Sequence, residues 1–346
     1  MSVCPHCEHP VSSEFAIEEK IQVHGCGHCY NPIAVRWEKG KPDVSALPKL
    51  RDVRQVAPAG SIGEAIFKAL PKSIESLPVF PEIAQRVLKL VSDPDISMKD
   101  LAAVIQEDQT VALSIMRLSN SPLYGGLEEI KDLNAACARL GMRNIANTVQ
   151  AVANNNLFIT GDQRLRAIMR KLWKHSIATA HCANEIAQIT SAPFPEMLFL
   201  AGLLHNMGKV VLIDIVSSQY TGAIGELRTT PQVLKQVLDN FHPLLGLHVA
   251  QSWRLPPEYL ATTLFQDRPS DCPRDEWLPM VHAVSLASLV ATVEGHGLYP
   301  LEETYLTTNA SARYLNLCDL KLAALRVDLG DKLDSLLDSI PSPAVA

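Results

Sequence analysis

The chain has 346 residues, 47% of them apolar, which is enough for about two domains with packed cores. Its 31 basic against 37 acidic side chains leave a net charge of -6, and aromatics make up only 5%; this composition argues against a protein whose main work is clamping phosphates or stacking bases. The longest uncharged stretches, 144–161 and 278–293, are interrupted by Asn, Gln, His, Ser and Thr, and no basic segment with an apolar run opens the chain, so neither a membrane span nor a secretory leader is expected and the cytoplasm is the expected compartment.

Four of the eight cysteines crowd into the first 29 residues as two CxxC pairs, Cys4/Cys7 and Cys26/Cys29. Two tight turns, the second bent at Gly25 and Gly27, would each present two thiolates to one tetrahedral zinc ion, in place of a core that so short a segment cannot build. Four sulfurs close the coordination sphere, so the expected role is structural. This pattern is similar to a zinc ribbon, and the resemblance covers residues 1–37 only. Residues 1–45 carry Lys20, Arg36, Lys39 and Lys41 against six acidic side chains, which disfavours contact with nucleic acid. A connector at 38–69, with Pro42, Pro48, Pro58, Gly40 and Gly60, reads as a linker.

From there on apolar residues recur at helical spacing. Ile83, Val87, Leu88 and Val91 form one stripe; Leu101, Val104 and Ile105 form another, opened by Ser97 and Asp100 as a capping pair. Residues 133–140 end at Gly141 in a C-cap pattern, and helices are predicted over 144–158, 164–189, 196–216, 231–240, 243–253 and 277–293. No strand-like alternation competes with them. The expected fold is an all-α multi-helix body preceded by a small β head.

Several ordered motifs in this body resemble one family. Leu203-Leu204-His205-Asn206-Met207-Gly208-Lys209 is similar to the signature of the HD superfamily of metal-dependent phosphohydrolases, with Asn206 where that signature has a metal-binding aspartate; Leu172-Trp173-Lys174-His175 looks like the helix that supplies its first histidine. Leu77-Pro78-Val79-Phe80-Pro81-Glu82, Arg117 to Ser121 with Tyr124-Gly125, and Phe241-His242 through Gly246 to Trp253-Arg254-Leu255-Pro256 narrow the likeness to the HDOD domain, the HD-related output domain of bacterial signalling proteins. The likeness spans 70–267 and leaves 268–346 as a C-terminal helical extension.

The resemblance implies a metal set of histidines and aspartates that turns a bound water into a nucleophile. Here His175 and His205 remain, Asn206 is a poor ligand for a hard cation, and the helix around His282 offers no carboxylate. The set is incomplete and no enzyme is expected. A residual metal or ligand site would comprise His175, His205, Asn206, Lys209 and His242, although a histidine in an apolar helical run also serves as a hydrogen-bonded core residue, and His242 reads as a cap for a helix entering at Pro243. The expected function is a regulatory or scaffold protein of bacterial signal transduction that binds a protein partner or a nucleotide second messenger, with a structural zinc head. The alternatives are a phosphohydrolase acting on a nucleotide or cyclic dinucleotide, and a zinc-ribbon reader of nucleic acid.

Overall fold

The computed structural model describes residues 79–340 apart from 126–127, 191–194, 220–230 and 302–304, and, before them, residues 3–5, 8, 10–11, 22–25, 32–38, 41–46, 68–69 and 72–73. Three strands come first: β1 (Gln22–Gly25), β2 (Pro32–Glu38) and β3 (Lys41–Ala46). Helices follow as α1 (Glu82–Val91), α2 (Met98–Ile105), α3 (Gln109–Ser119), α4 (Leu133–Ala153), α5 (Gln163–Thr190), α6 (Pro195–Leu204), α7 (Met207–Gln219), α8 (Pro231–Ser252), α9 (Pro257–Phe265), α10 (Leu278–Ala291), α11 (Tyr305–Thr308), α12 (Ala310–Tyr314) and α13 (Asp319–Ser339). The expected all-α body with a small β head is what the chain forms. Backbone packing divides it into two compact units, one of residues 1–78 and 204–281 and the other of residues 79–203 and 282–346.

In the second of these units the local sequence dictates the helix ends. Ser97 and Asp100 form a reciprocal capping box on α2, while Asp108 and Asp132 accept backbone N–H groups at the starts of α3 and α4. Gly141 holds φ 74° and ψ 161°, a conformation open essentially to glycine alone, and kinks α4 where the sequence predicts a helix to end. The long α5 carries the core: Leu172, Trp173 and Ile177 are fully buried with Leu101, Ile105, Ile115, Leu118 and Ile145. Helix α6 crosses α5 at Gly202, where a Cβ would stand 2.7 Å from the Cα of Ala180, so only two small residues permit this approach. Helix α13 lies on α3 and α5 through Leu322, Leu325, Leu329, Leu333 and Leu336, all buried.

The other unit pairs β1, β2 and β3 in an antiparallel sheet with β2 central and Val35 opposite both Gln22 and Val44. Cys4, Ile33 and Val35 are buried together, with Val11 and Val44 against them. Its helices are packed backbone to backbone. A methyl at Gly208 would overlap the carbonyl oxygen of His242, and one at Gly246 would overlap the Thr263 methyl, so α7 meets α8 at Gly208 and α9 meets α8 at Gly246. Helix α8 ends with Arg254 at φ 54° and the Leu255 N–H donating to the Ala250 carbonyl at 3.0 Å, a left-handed cap that delivers Pro256 to the start of α9.

Three predicted boundaries differ from the fold. The stretch 38–69, read as a linker, begins with β3 (Lys41–Ala46), which pairs with β2 and extends the head's sheet past residue 37. The expected helix over 196–216 is broken at His205 and Asn206, where the Asn206 carbonyl accepts the Lys209 N–H at 2.9 Å and starts α7. Conversely, the helices expected over 231–240 and 243–253 are the single α8, with Pro243 in its interior. His242 is therefore a mid-helix residue, which corrects its reading as a cap. The segments Met197–Val216 and Leu278–His296 are long and apolar enough to cross a membrane by length and composition, and the first is 89% buried in the protein itself, as a core segment would be.

Candidate functional site

Within the unit formed by 1–78 and 204–281, His205, Asn206, Lys209 and His242, four of the five residues singled out from the sequence, gather about the turn between α6 and α7. His205, Asn206 and His242 are exposed by 2% or less. The Asn206 amide nitrogen lies 2.7 Å from His205 Nε2, and the Gln266 amide donates to the His205 carbonyl oxygen at 2.8 Å. With the amide as donor, the His205 ring accepts at Nε2, and the lone pair a metal would need is occupied. The Asn206 side-chain oxygen, Oδ1, is buried without a hydrogen-bond partner. On α8, His242 Nδ1 donates to the Leu238 carbonyl at 2.9 Å, which turns Nε2 toward Asp267 Oδ2 at 3.0 Å.

Asp267 is a site residue that sequence reasoning missed. Burial works to raise its carboxyl, but the neighbouring His242 ring outweighs this, and Lys209 and His205 add to it, so the group sits well below the usual carboxylate range. Fifty-four per cent of the side chain meets solvent, which weakens the pair by screening. Lys209 is pulled the other way: burial lowers its ammonium, against the carboxylates of Asp267 and Asp239. The arrangement sets amides and imidazoles beside one lysine and one carboxylate. It can hydrogen-bond a polar ligand and offer it a single positive charge.

In the other unit, His175 is 4% exposed and its Nε2 lies 3.2 Å from the Ser288 hydroxyl. Helix α10 thus presents a hydroxyl to this histidine. His282, on the same helix, stacks on Tyr314 at 4.0 Å with its Nδ1 2.9 Å from the Ser311 hydroxyl, and burial lowers its pKa. A second polar group, absent from the sequence reading, gathers His181 and Glu185 of α5 with Asp328 and Lys332 of α13.

Of the cysteine ligands proposed for the head, Cys4 is buried; its carbonyl accepts the Glu8 N–H at 2.8 Å, Glu8 adopts φ 62°, and Val3 bridges to Pro10. The chain therefore turns tightly after Cys4. Cys7, Cys26 and Cys29 lie outside the described residues.

Comparison with known proteins places this body. The HDOD domain family matches residues 77–269, more than half of the chain. The chain belongs to the HDOD domain family. An uncharacterized protein of Treponema pallidum is 26% identical over 222 residues, which is 62% of this chain, and the chain spans only 42% of that relative's length. The crystal structure of an HDOD domain protein of unknown function from Geobacter sulfurreducens superposes with a TM-score of 0.62 at 24% identity, covering 80% of this chain and 99% of that one. A protein from Shewanella amazonensis, provisionally named a metal-dependent phosphohydrolase, gives 0.59 at 24% identity over 80% and 98% of the two chains. One from Marinobacter aquaeolei, provisionally named a signal transduction protein, gives 0.58 at 21% identity over 83% and 67%. At these identities the likeness establishes the HDOD fold.

A metal centre of the kind that activates water does not fit the HDOD residues around His205. Asn206 is neutral and engages the His205 ring; His242 spends one nitrogen on a backbone carbonyl and turns the other to Asp267. Lys209 adds a positive charge that a dication would have to overcome.

Proposed function

We propose that this HDOD protein is a catalytically silent regulatory component of bacterial cytoplasmic signalling, whose helical body binds a protein partner or a small signal molecule. The observation that carries the reading is the Asn206 amide on His205 Nε2, which puts a hydrogen bond where a phosphohydrolase of the HD type needs a metal–nitrogen bond and a carboxylate. The chemistry left around Lys209 and Asp267 suits recognition: one ammonium, one carboxylate and two amides hold a ligand without a means of activating water. Hydrolysis of p-nitrophenyl phosphate and of cyclic dinucleotides, assayed with manganese, magnesium and zinc, is expected to equal that of a His205→Ala variant. Metal-dependent turnover that His205→Ala abolishes would overturn the reading.

The tight turn after buried Cys4 favours the second part of the proposal, a structural zinc held by Cys4, Cys7, Cys26 and Cys29. One zinc per chain, lost when Cys4 and Cys7 are both replaced by Ser, is the expected result of elemental analysis.

A further inference from the structure

The unit formed by 79–203 and 282–346 holds a cavity of about 230 Å³ that neither the HDOD likeness nor the His205 turn accounts for. One wall is a turn of α5 with His181, Asn184 and Glu185, and the opposite wall is α13 with Lys332. His181 and Glu185 stand at i and i+4, the spacing at which two helix side chains share one ion. Asp328, one turn before Lys332 on α13, brings the third donor, so that ligand atoms of His181, Glu185 and Asp328 lie within 4.8 Å of one another, the one such trio among the described residues.

Two atoms at the centre are loosely held. His181 Nε2 and Asp328 Oδ2 face each other at 3.4 Å as a long ion pair, and both are sealed from solvent without another partner. Asp328 Oδ1 is already held by Lys332 at 2.5 Å, which fixes the carboxylate and aims Oδ2 inward. Asn184, 6% exposed, reaches nothing better than Glu185 Oε1 at 3.5 Å. Glu185 and Asp328 bring two carboxylates to this cluster against the single ammonium of Lys332, an arrangement that favours a cation.

We infer that His181, Glu185 and Asp328 bind a first-row divalent transition metal of the zinc class. One imidazole nitrogen and two carboxylate oxygens suit such an ion, whereas calcium and magnesium prefer six or more oxygens. Bonds of about 2.0–2.2 Å to a tetrahedral ion place donors roughly 3.3–3.6 Å apart, and the three ligand atoms lie within 4.8 Å of one another. Three protein ligands leave a coordination position that opens on the cavity, where Asn144, Asn147 and Gln188 supply amides to a water or small ligand bound there. This inference is independent of the regulatory reading and of the cysteine head.

Cobalt(II) titration of the chelator-stripped full-length chain tests it, because cobalt on nitrogen and oxygen shows ligand-field bands without the strong thiolate charge-transfer band of a cysteine site. One thiolate-free equivalent is expected, weakened at least tenfold in Glu185→Gln and in Asp328→Ala and retained in His205→Ala. Glu185→Gln keeps the shape of the half-buried side chain, so it decides the matter if Asp328→Ala fails to fold. Cobalt bound only with thiolate character, a thiolate-free equivalent that survives Glu185→Gln, or one that disappears in His205→Ala would each overturn the assignment.

Discussion

Replacing Gly208 by Ala asks whether the start of α7 is held to α8 by backbone contact. A Cβ at 208 would lie 2.7 Å from the His242 carbonyl carbon and from the Gly246 nitrogen, and nearer still to the His242 oxygen. All three atoms are backbone, so no side chain can swing aside and the helices must part by about 1.6 Å to bring the approach to the His242 oxygen to ordinary contact; overpacking of this kind costs about 3 kcal/mol at the upper end of its range. The helical preference of Ala over Gly returns about 1 kcal/mol, leaving a net loss of about 2 kcal/mol. Gly330 in α13 is the matched control: a Cβ there meets nothing within 4 Å, so Gly330→Ala gains about 0.5–1 kcal/mol. Thermal unfolding followed by circular dichroism is expected to show Gly208→Ala melting roughly 4–8 °C below the parent protein and Gly330→Ala above it. If both variants moved in the same direction, or if Gly208→Ala melted with the parent, the backbone contact would not be what joins these helices.

Asp267→Asn removes a carboxylate whose pKa is depressed in the fold, so its stabilising effect is present above the ordinary carboxylate range near pH 4 and is lost as the pH falls through the folded value. With half the side chain in solvent the difference at pH 7 stays below about 1 kcal/mol, and urea curves of variant and parent are expected to converge in strong acid. Burial raises the Cys137 thiol to about 11 and that of Cys182 further, whereas Cys318 is exposed; brief alkylation with iodoacetamide at pH 8 and peptide mass spectrometry should find Cys318 modified and Cys137 and Cys182 protected. Ser97→Ala breaks the capping box of α2 and is expected to cost about 1 kcal/mol in urea unfolding.

Local chemistry made the capping box at Ser97 and Asp100 and the break at Gly141 readable from sequence, because each depends on residues a few positions apart. Pro243 misled for the same reason. Proline removes one helical hydrogen bond, and the sequence does not show that packing of α8 against α7 and α9 outweighs that loss. His205, Asn206, Lys209 and His242 were legible as candidates, and the fold gathers them in one unit. Their partner Asp267 was not, since it follows the end of α9 and meets His242 only through the left-handed turn at Arg254. The trio of His181, Glu185 and Asp328 had half a signature in the i, i+4 pair, but its third donor arrives from the far end of the chain and nothing near residue 328 advertises it.

The bed on α5 that receives α13 sets a timetable for synthesis. His181 leaves the ribosome about 150 residues before Asp328, which at translation rates of about 5–20 residues per second is roughly 7–30 s during which that apolar face has no covering helix. A nascent chain stopped at the end of the HDOD match, residue 269, would hold that face open to chaperones or to a second nascent copy, whereas the finished chain closes it with Leu325, Leu329 and Leu333.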